Sequence, residues 1–406
     1  MKTNQKQMQV PFLIPDITDV EIEEVTDTLR SGWITTGPKT KKLEMELAKF
    51  CGVNKFICLN SATACIEIAL RVLGIGPGDE VITTAYTYTA SASVVCHVGA
   101  KLILVDTAKD SYEMDYGQLA DAITEKTKAI IPVDLGGIMC DYDMIFSIVS
   151  NKKGLYSANN EIQKTIGRIA VIADSAHALG ASQKGKKCGE VADFTCFSFH
   201  AVKNFTTGEG GGLTWKSVSG ISDAEIYKRL SLLTLHGQSK DALEKTKLGE
   251  WEYDVVGTFY KYNMTDISAA LGIAQLKRYP SMLRRRKEII LEYDEAFRNM
   301  PLQILNHYGT SFCSSGHLYC VRVHNKDRRE CNYIMELMAE LGIATNVHYK
   351  PLPMLSAYKN LGFDIQNYPN AFALFSNEIT LPLYSRMTED AIDYTIQSFK
   401  SVLNEV

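Results

Sequence analysis

A chain of 406 residues is too long for one small core, so two domains are the natural division. Its apolar share of 46%, charged share of 22% and net charge of −4 are those of an ordinary soluble protein and leave no basic footprint for nucleic acid. No run of about 18 apolar residues suggests a membrane span, and the opening MKTNQKQMQV lacks the apolar core of a secretory signal. The ten cysteines, from Cys51 to Cys331, contain no C-x-x-C pair. Cys58, Cys96, Cys196 and Cys320 lie in apolar runs and read as buried free thiols in a reducing compartment, with no disulfide frame and no metal site. The expected location is the cytoplasm.

The first predicted helix spans 17–30. Thr18 and Glu21 form a capping-box pattern, and Ile22, Val25 and Leu29 share one face. The stretch 31–38, SGWITTGP, is a loop by its two glycines and proline; Trp33, beside Thr35 and Thr36, is either a ligand contact or a packing residue. A strand over 55–61 runs into a helix with Ile66, Ala69, Leu70 and Leu73 on one face. Ser61, Ala62 and Thr63 therefore stand at a helix N-terminus, which suits a phosphate or a plain N-cap. A second strand, Glu80–Thr84, leads to Tyr88, which either lies against a heteroaromatic ring or packs in the core.

Further strands at 101–105 and 129–133, separated by helical segments, imply parallel pairing and an α/β fold. Ligands in such sheets sit at the carboxyl ends of the strands, where Asp134 falls. Residues 151–167 are polar and without period, and read as a surface excursion. The apolar strand over 168–173 ends in Asp174, Ser175, Ala176 and His177. A carboxylate after so apolar a run is an N-cap or a buried acid in need of a positive partner. His177 is a second contact or a core histidine. The next strand, 194–199, exits into Lys203 and a glycine-rich turn ending in Gly210, Gly211 and Gly212. That lysine is a surface side chain, or a buried amine whose lowered pKa suits imine formation.

Beyond Trp215 the chain turns helical. It carries a charged aromatic segment over 236–256 with Trp251 and Tyr253, then YKYNMTD at 260–266 ahead of an apolar helix. Arg284, Arg285 and Arg286 read as a solvated or subunit-contact face. Strand-like 317–323 and 344–349, with helices between and after them, predict a small α+β unit. The expected division is 1–250, a large α/β domain with an N-terminal helical arm, and 251–406, the small domain.

Taken together, a phosphate cradle at Ser61–Thr63, a stacking ring at Tyr88, an acid at Asp174 and a lysine at Lys203 follow one another at successive strand ends. These are the four things pyridoxal phosphate requires of a protein. The chain also resembles, nearly end to end, the DegT/DnrJ/StrS family of sugar-nucleotide aminotransferases. The resemblance is carried by SGWITTGP, GDEVITTAYTYTASA, ADSAHALGA, FSFHAVKNFTTGEGGGL, YKYNMTDISAALG and VHYKPL, of which the lysine stretch is the most specific.

The resemblance implies a fold-type I transferase with a mostly parallel seven-stranded sheet and pyridoxal 5′-phosphate as cofactor. Lys203 would join the cofactor aldehyde and shuttle protons. Asp174 would hold the pyridine nitrogen protonated, Tyr88 would stack on the ring, and His177 would lie near its phenolic oxygen. Ser61, Ala62, Thr63 and Ser198 would hold the phosphate. Family members are usually homodimers with a shared active site, so Lys261 of YKYNM would reach the phosphate of the second subunit. Many relatives have asparagine at 261 and arginine at 263, where this chain has Lys261 and Asn263. Trp33, Thr35 and His348 are the candidates for the sugar-nucleotide side.

The implied reaction moves an amino group, from glutamate, to a keto group of a nucleotide-linked sugar for polysaccharide or related amino-sugar synthesis. Relatives with histidine at the lysine position remove a hydroxyl instead. A deoxygenating dehydratase and a non-enzymatic regulatory protein are the alternatives.

Overall fold

The computed structural model describes residues 8–240 and 252–406. Trp251 and most of the charged aromatic segment lie outside the described residues. Among the described residues the main sheet has seven strands: β1 (Phe56–Leu59), β2 (Glu80–Thr84), β3 (Lys101–Val105), β4 (Thr127–Ile131), β5 (Ala170–Asp174), β6 (Phe194–Ser198) and β7 (Gly211–Trp215). Their order is β1-β7-β6-β5-β4-β2-β3. Pairing is parallel from β3 through β6, and only β7 runs against its neighbours. Helices between successive strands force this arrangement, because a parallel neighbour needs a crossover.

Strand periodicity divides the sheet into two buried faces. Ile57, Leu59, Ile131, Ala170 and Ile172 enter one core, whereas Phe56, Cys58, Ile130, Val171 and Ala173 enter the other. Both faces are covered, so the strands read as continuous apolar runs. A second sheet of three antiparallel strands, β8 (Leu302–Ile304), β9 (Tyr319–Val323) and β10 (Glu378–Leu381), builds a third core. The helix Asp266–Phe297 joins the two regions. Ala269, Ile273 and Tyr279 pack under the main sheet, and Ile289, Tyr293 and Phe297 pack in the third core. The cores draw on distant sequence. Val10 sits in the third core, and Leu352, Tyr358 and Leu374 return to the first.

Several expectations change in physical detail. The helix Asp19–Ser31 starts as read, with the Glu21 carboxylate accepting from Thr18 N at 2.7 Å and Thr18 Oγ1 at 2.6 Å. Its buried side, however, is polar. Arg278 bridges Glu21 and Asp16 at 2.8 and 2.7 Å, while Ile22 and Leu29 are 56% and 55% exposed. The stretch 151–167 is no mere surface excursion. It holds the helix Glu161–Ile166, whose fully buried Gln163 donates to Leu73 O at 2.7 Å. Residues 344–349 form no strand and touch the second sheet through a single bridge, Asn346 to Thr380. All ten cysteines are free thiols, but Cys96 is exposed. Among the described residues no helix is long and apolar enough to cross a membrane.

Candidate active site

The carboxyl ends of β1, β2, β5 and β6 open onto a cavity of about 470 Å³, closed on its other side by residues near β9 and β10. The first wall is the start of the helix Ala62–Val72. Ser61 caps it, accepting from Ala64 N at 3.1 Å, so the N-cap reading of Ser61 holds. The N–H groups of Ala62 and Thr63 have no acceptor among the described residues and border the cavity. Free amides at the positive end of a helix favour an anion.

Strand β7 enters beside this terminus, and its glycines are required for space. A Cβ on Gly211 would stand 2.3 Å from Ser61 C and 2.5 Å from Ala62 N, and one on Gly212 would stand 2.2 Å from the Phe56 ring. Backbone cannot yield as a side chain can. Gly211→Ala is therefore expected to displace the helix start and cost about 1–3 kcal/mol of stability, read as a lowered melting temperature together with weakened cofactor retention. Unchanged melting and cofactor retention would contradict this account of the glycines.

Asp174 ends β5 with its side chain buried. Its carboxylate accepts from Ser91 Oγ at 2.6 Å and from Ala176 N at 3.2 Å. It has no ion-pair partner among the described residues, and burial pushes its pKa up, opposed mainly by Ser91. Asp134, by contrast, is turned away from the cavity. It is fully enclosed by Ser175 Oγ, Tyr142 OH and Cys140 N, a structural network.

Lys203 lies in the turn after β6, half-buried and lining the cavity. Its amine has no hydrogen-bond or ion-pair partner among the described residues. Burial lowers its pKa to about 8 against the opposing charge of Asp174. Its backbone is held by Lys203 N donating to His200 O at 2.9 Å. The next residue, Asn204, ties the turn to the far wall through Ser315 O and His317 Nδ1, both at 2.8 Å.

Tyr88 lines the cavity and is 61% exposed, with its ring tilted against Tyr349 at 6.2 Å between centroids. Ser198 also lines it. His177 Nδ1 accepts from Gly136 N at 3.2 Å, which places the proton of the neutral ring on Nε2, 3.2 Å from Tyr349 OH. Burial and the Lys203 charge hold its pKa well below the ordinary value. His348 also lines the cavity, and burial brings it down to about 3.

Three predicted residues stay outside. Trp33 donates Nε1 to Thr36 O at 3.3 Å, Thr35 accepts from Asp266 N, and Lys261 is exposed with its amine on the Asn263 side chain. None of the three lines this cavity. Asn263 Nδ2 in turn donates to Thr36 Oγ1 at 2.5 Å, so the two loops form one unit. Asp266 fixes it by accepting from Gly37 N, Lys39 N and Thr40 N.

Reading the sequence missed His317, Tyr349 and Ser91. His317 looked like the start of a strand that begins at Tyr319, and its ring stands 4.3 Å from that of His177. Tyr349 lay within VHYKPL but carried no separate signal. Arg286 is also not a surface cation. It is buried and donates to Gly316 O and Leu383 O at 3.0 and 3.1 Å, bracing the wall that carries His317.

Among the described residues, a lysine amine without a hydrogen-bond partner, a buried carboxylate without an ion pair and helix-start amides without acceptors surround one cavity. Residues 15–400 match the model of the DegT/DnrJ/EryC1/StrS aminotransferase family. The chain belongs to this family. Among its relatives is the uncharacterized protein MJ1066 of Methanocaldococcus jannaschii, 40% identical over 98% of both chains. The spore coat polysaccharide biosynthesis protein SpsC of Bacillus subtilis is 37% identical over 97% of both. Among solved structures, the sugar aminotransferase candidate Spr1654 of Streptococcus pneumoniae superimposes with a TM-score of 0.95. In its PMP form it is 56% identical, covering 98% of this chain and 100% of that one; in its PLP form it is 55% identical, covering 98% and 99%. The architecture is that of the fold-type I transferases to which the family belongs.

Proposed function

We propose that the protein is a pyridoxal-phosphate-dependent aminotransferase. It takes an amino group from glutamate and delivers it to a keto group of a nucleotide-linked sugar, in amino-sugar synthesis for a polysaccharide or glycosylated product. One observation carries the reading: the amine of Lys203, lowered to about 8 by burial and without a hydrogen-bond partner among the described residues, shares a cavity with the buried carboxylate of Asp174. Bound pyridoxal phosphate supplies an aldehyde for the amine and an electron-withdrawing ring.

In this reading Lys203 would hold the cofactor through its aldehyde, and its amine would move the proton that amino transfer requires. Asp174 holds a proton on the pyridine nitrogen, the positive partner its buried charge lacks. Tyr88 offers an open ring face for stacking, and His177 stands near the phenolic oxygen. Ala62 N–H, Thr63 N–H and the hydroxyls of Ser61 and Ser198 take the phosphate. Residues 1–250 thus hold the cofactor, and 251–406 supply the wall with His317, His348 and Tyr349. His348 faces the sugar. Work in the cytoplasm accords with ten free thiols.

The enzyme acts as a homodimer with shared sites. The uncovered apolar face of the helix Asp19–Ser31, and loops with Trp33, Thr35 and Lys261 that stay out of their own cavity, support this arrangement. The partner's Lys261 then reaches the phosphate. Mixing Lys203→Ala with Lys261→Ala subunits should restore activity that neither variant has alone. Failure to restore it would contradict sharing.

Incubation with glutamate and a set of UDP- and dTDP-linked 4-keto and 3-keto sugars tests the reaction. One 2-oxoglutarate per amino sugar is expected. A product that loses a hydroxyl and gains no amine would overturn the assignment in favour of deoxygenation.

A further inference from the structure

His348 is held from behind by two residues of β10. Glu378 and Thr380 are both fully buried, and as i and i+2 of one strand they project from the same face. His348 Nδ1 stands 2.9 Å from Thr380 Oγ1. Thr380 Oγ1 donates to Glu378 Oε1 at 2.5 Å, and Glu378 Oε2 accepts from His348 N at 2.9 Å. The carboxylate thus holds the histidine twice, once through its backbone and once through the threonine hydroxyl.

Proton counting fixes the rest. A hydroxyl has one hydrogen. With that hydrogen on an ionised Glu378, Thr380 can only accept from the ring, so Nδ1 carries the imidazole proton. Nε2 is then left with a lone pair. Phe12 stacks on the ring at 5.7 Å and Tyr349 meets it edge-on at 4.9 Å; Leu13, Leu381 and Leu383 line the same cavity, together with His177, His317 and Lys203. His348 is half-buried, so a ligand that fills the cavity displaces water from Nε2 and must bring a donor of its own, because a polar atom left unpaired on burial is costly. Glutamate's carboxylates offer none, and a sugar hydroxyl does.

Resting on the aminotransferase reading, we propose that Glu378, acting through Thr380, fixes His348 as a hydrogen-bond acceptor, so that the site selects keto sugars bearing a free hydroxyl opposite Nε2. Glu378 and Thr380 are positioning residues, and His348 is the group that meets the sugar. A site built for a hydroxyl discriminates strongly against the analogue lacking it, because its own polar atom is left unpaired.

The test uses the full chain labelled with ¹⁵N-histidine at pH 8, above the value of about 7 to which burial raises Glu378. The wild type should show His348 protonated at Nδ1 and bare at Nε2. Thr380→Ser should keep this state, and Thr380→Val should lose it. The paired kinetic test compares a dTDP-linked 4-keto-6-deoxyhexose with its 2-deoxy and 3-deoxy analogues. In the wild type one missing hydroxyl should lower kcat/KM by about 100-fold, mainly through KM. That ratio should collapse in Thr380→Val and return in Thr380→Ser. A protonated Nε2 in the wild type, or an unchanged tautomer in Thr380→Val, would overturn the proposal even if the valine variant turned nothing over. Because the spectrum needs neither cofactor nor sugar, the predicted tautomer without any release of 2-oxoglutarate would sink the aminotransferase reading and leave the relay standing.

Discussion

Lys203→Ala is expected to lower steady turnover by at least about 10⁴-fold, the combined loss of the covalent attachment and of proton transfer. The visible absorption band of lysine-bound cofactor should vanish with it. The argument rests on placement. The amine lies in a cavity without a hydrogen-bond partner among the described residues, and burial holds it at about 8. It is therefore largely protonated at pH 6 and largely free above pH 8. Only the free amine attacks an aldehyde, so the rate of cofactor attachment to stripped protein should rise with pH and level off above about 8. A rate that kept climbing to pH 10 would show an ordinary surface lysine. Turnover surviving in the alanine variant would remove Lys203 from the mechanism.

The second large effect is at Asp174. Asp174→Asn keeps the size of the side chain and its contact with Ser91 but removes the charge. Without the carboxylate nothing in the cavity holds the ring nitrogen protonated, and kcat should fall by about 10²–10³-fold, the usual scale for losing one preorganised electrostatic partner. Stability should move the other way. The folded state raises the Asp174 pKa, so the ionised group opposes folding at every pH above that raised value, and the cost disappears when acid protonates it. A neutral amide carries no such cost. The cofactor-free asparagine variant should melt at the wild-type temperature or higher at pH 7. Lower stability with intact kcat would mean that Asp174 serves the fold and not the reaction.

Much of the cavity wall at the strand ends was legible in the sequence, because each signal was local. A strand end is marked by the switch from apolar to small polar residues, and that switch placed Ser61, Asp174 and Lys203 on one sheet edge. The GEGGG run announced close approach, although only the structure shows that Gly211 passes against the Ser61–Ala62 backbone. Of the far wall only His348 was legible. His317, Tyr349 and the Glu378–Thr380 pair come from segments separated by up to about 60 residues and meet only through tertiary pairing of β9 and β10. Their hydrophobic pattern also misled, since His317 reads as strand and 344–349 as another. The first helix shows the converse. Its apolar periodicity was real, but the face it marks is exposed in the single chain and its polar side is buried on Arg278. Periodicity reports that a face will be covered, not by what.

The measurement that bears most directly on the central claim is an absorption spectrum of the purified protein, before and after glutamate is added. The account predicts a visible band from cofactor bound to Lys203, replaced on adding glutamate by the shorter-wavelength absorption of the aminated cofactor, with 2-oxoglutarate released in equal amount. No band after incubation with pyridoxal phosphate would contradict the assignment of Lys203, and a band that glutamate leaves unchanged would contradict glutamate as the donor.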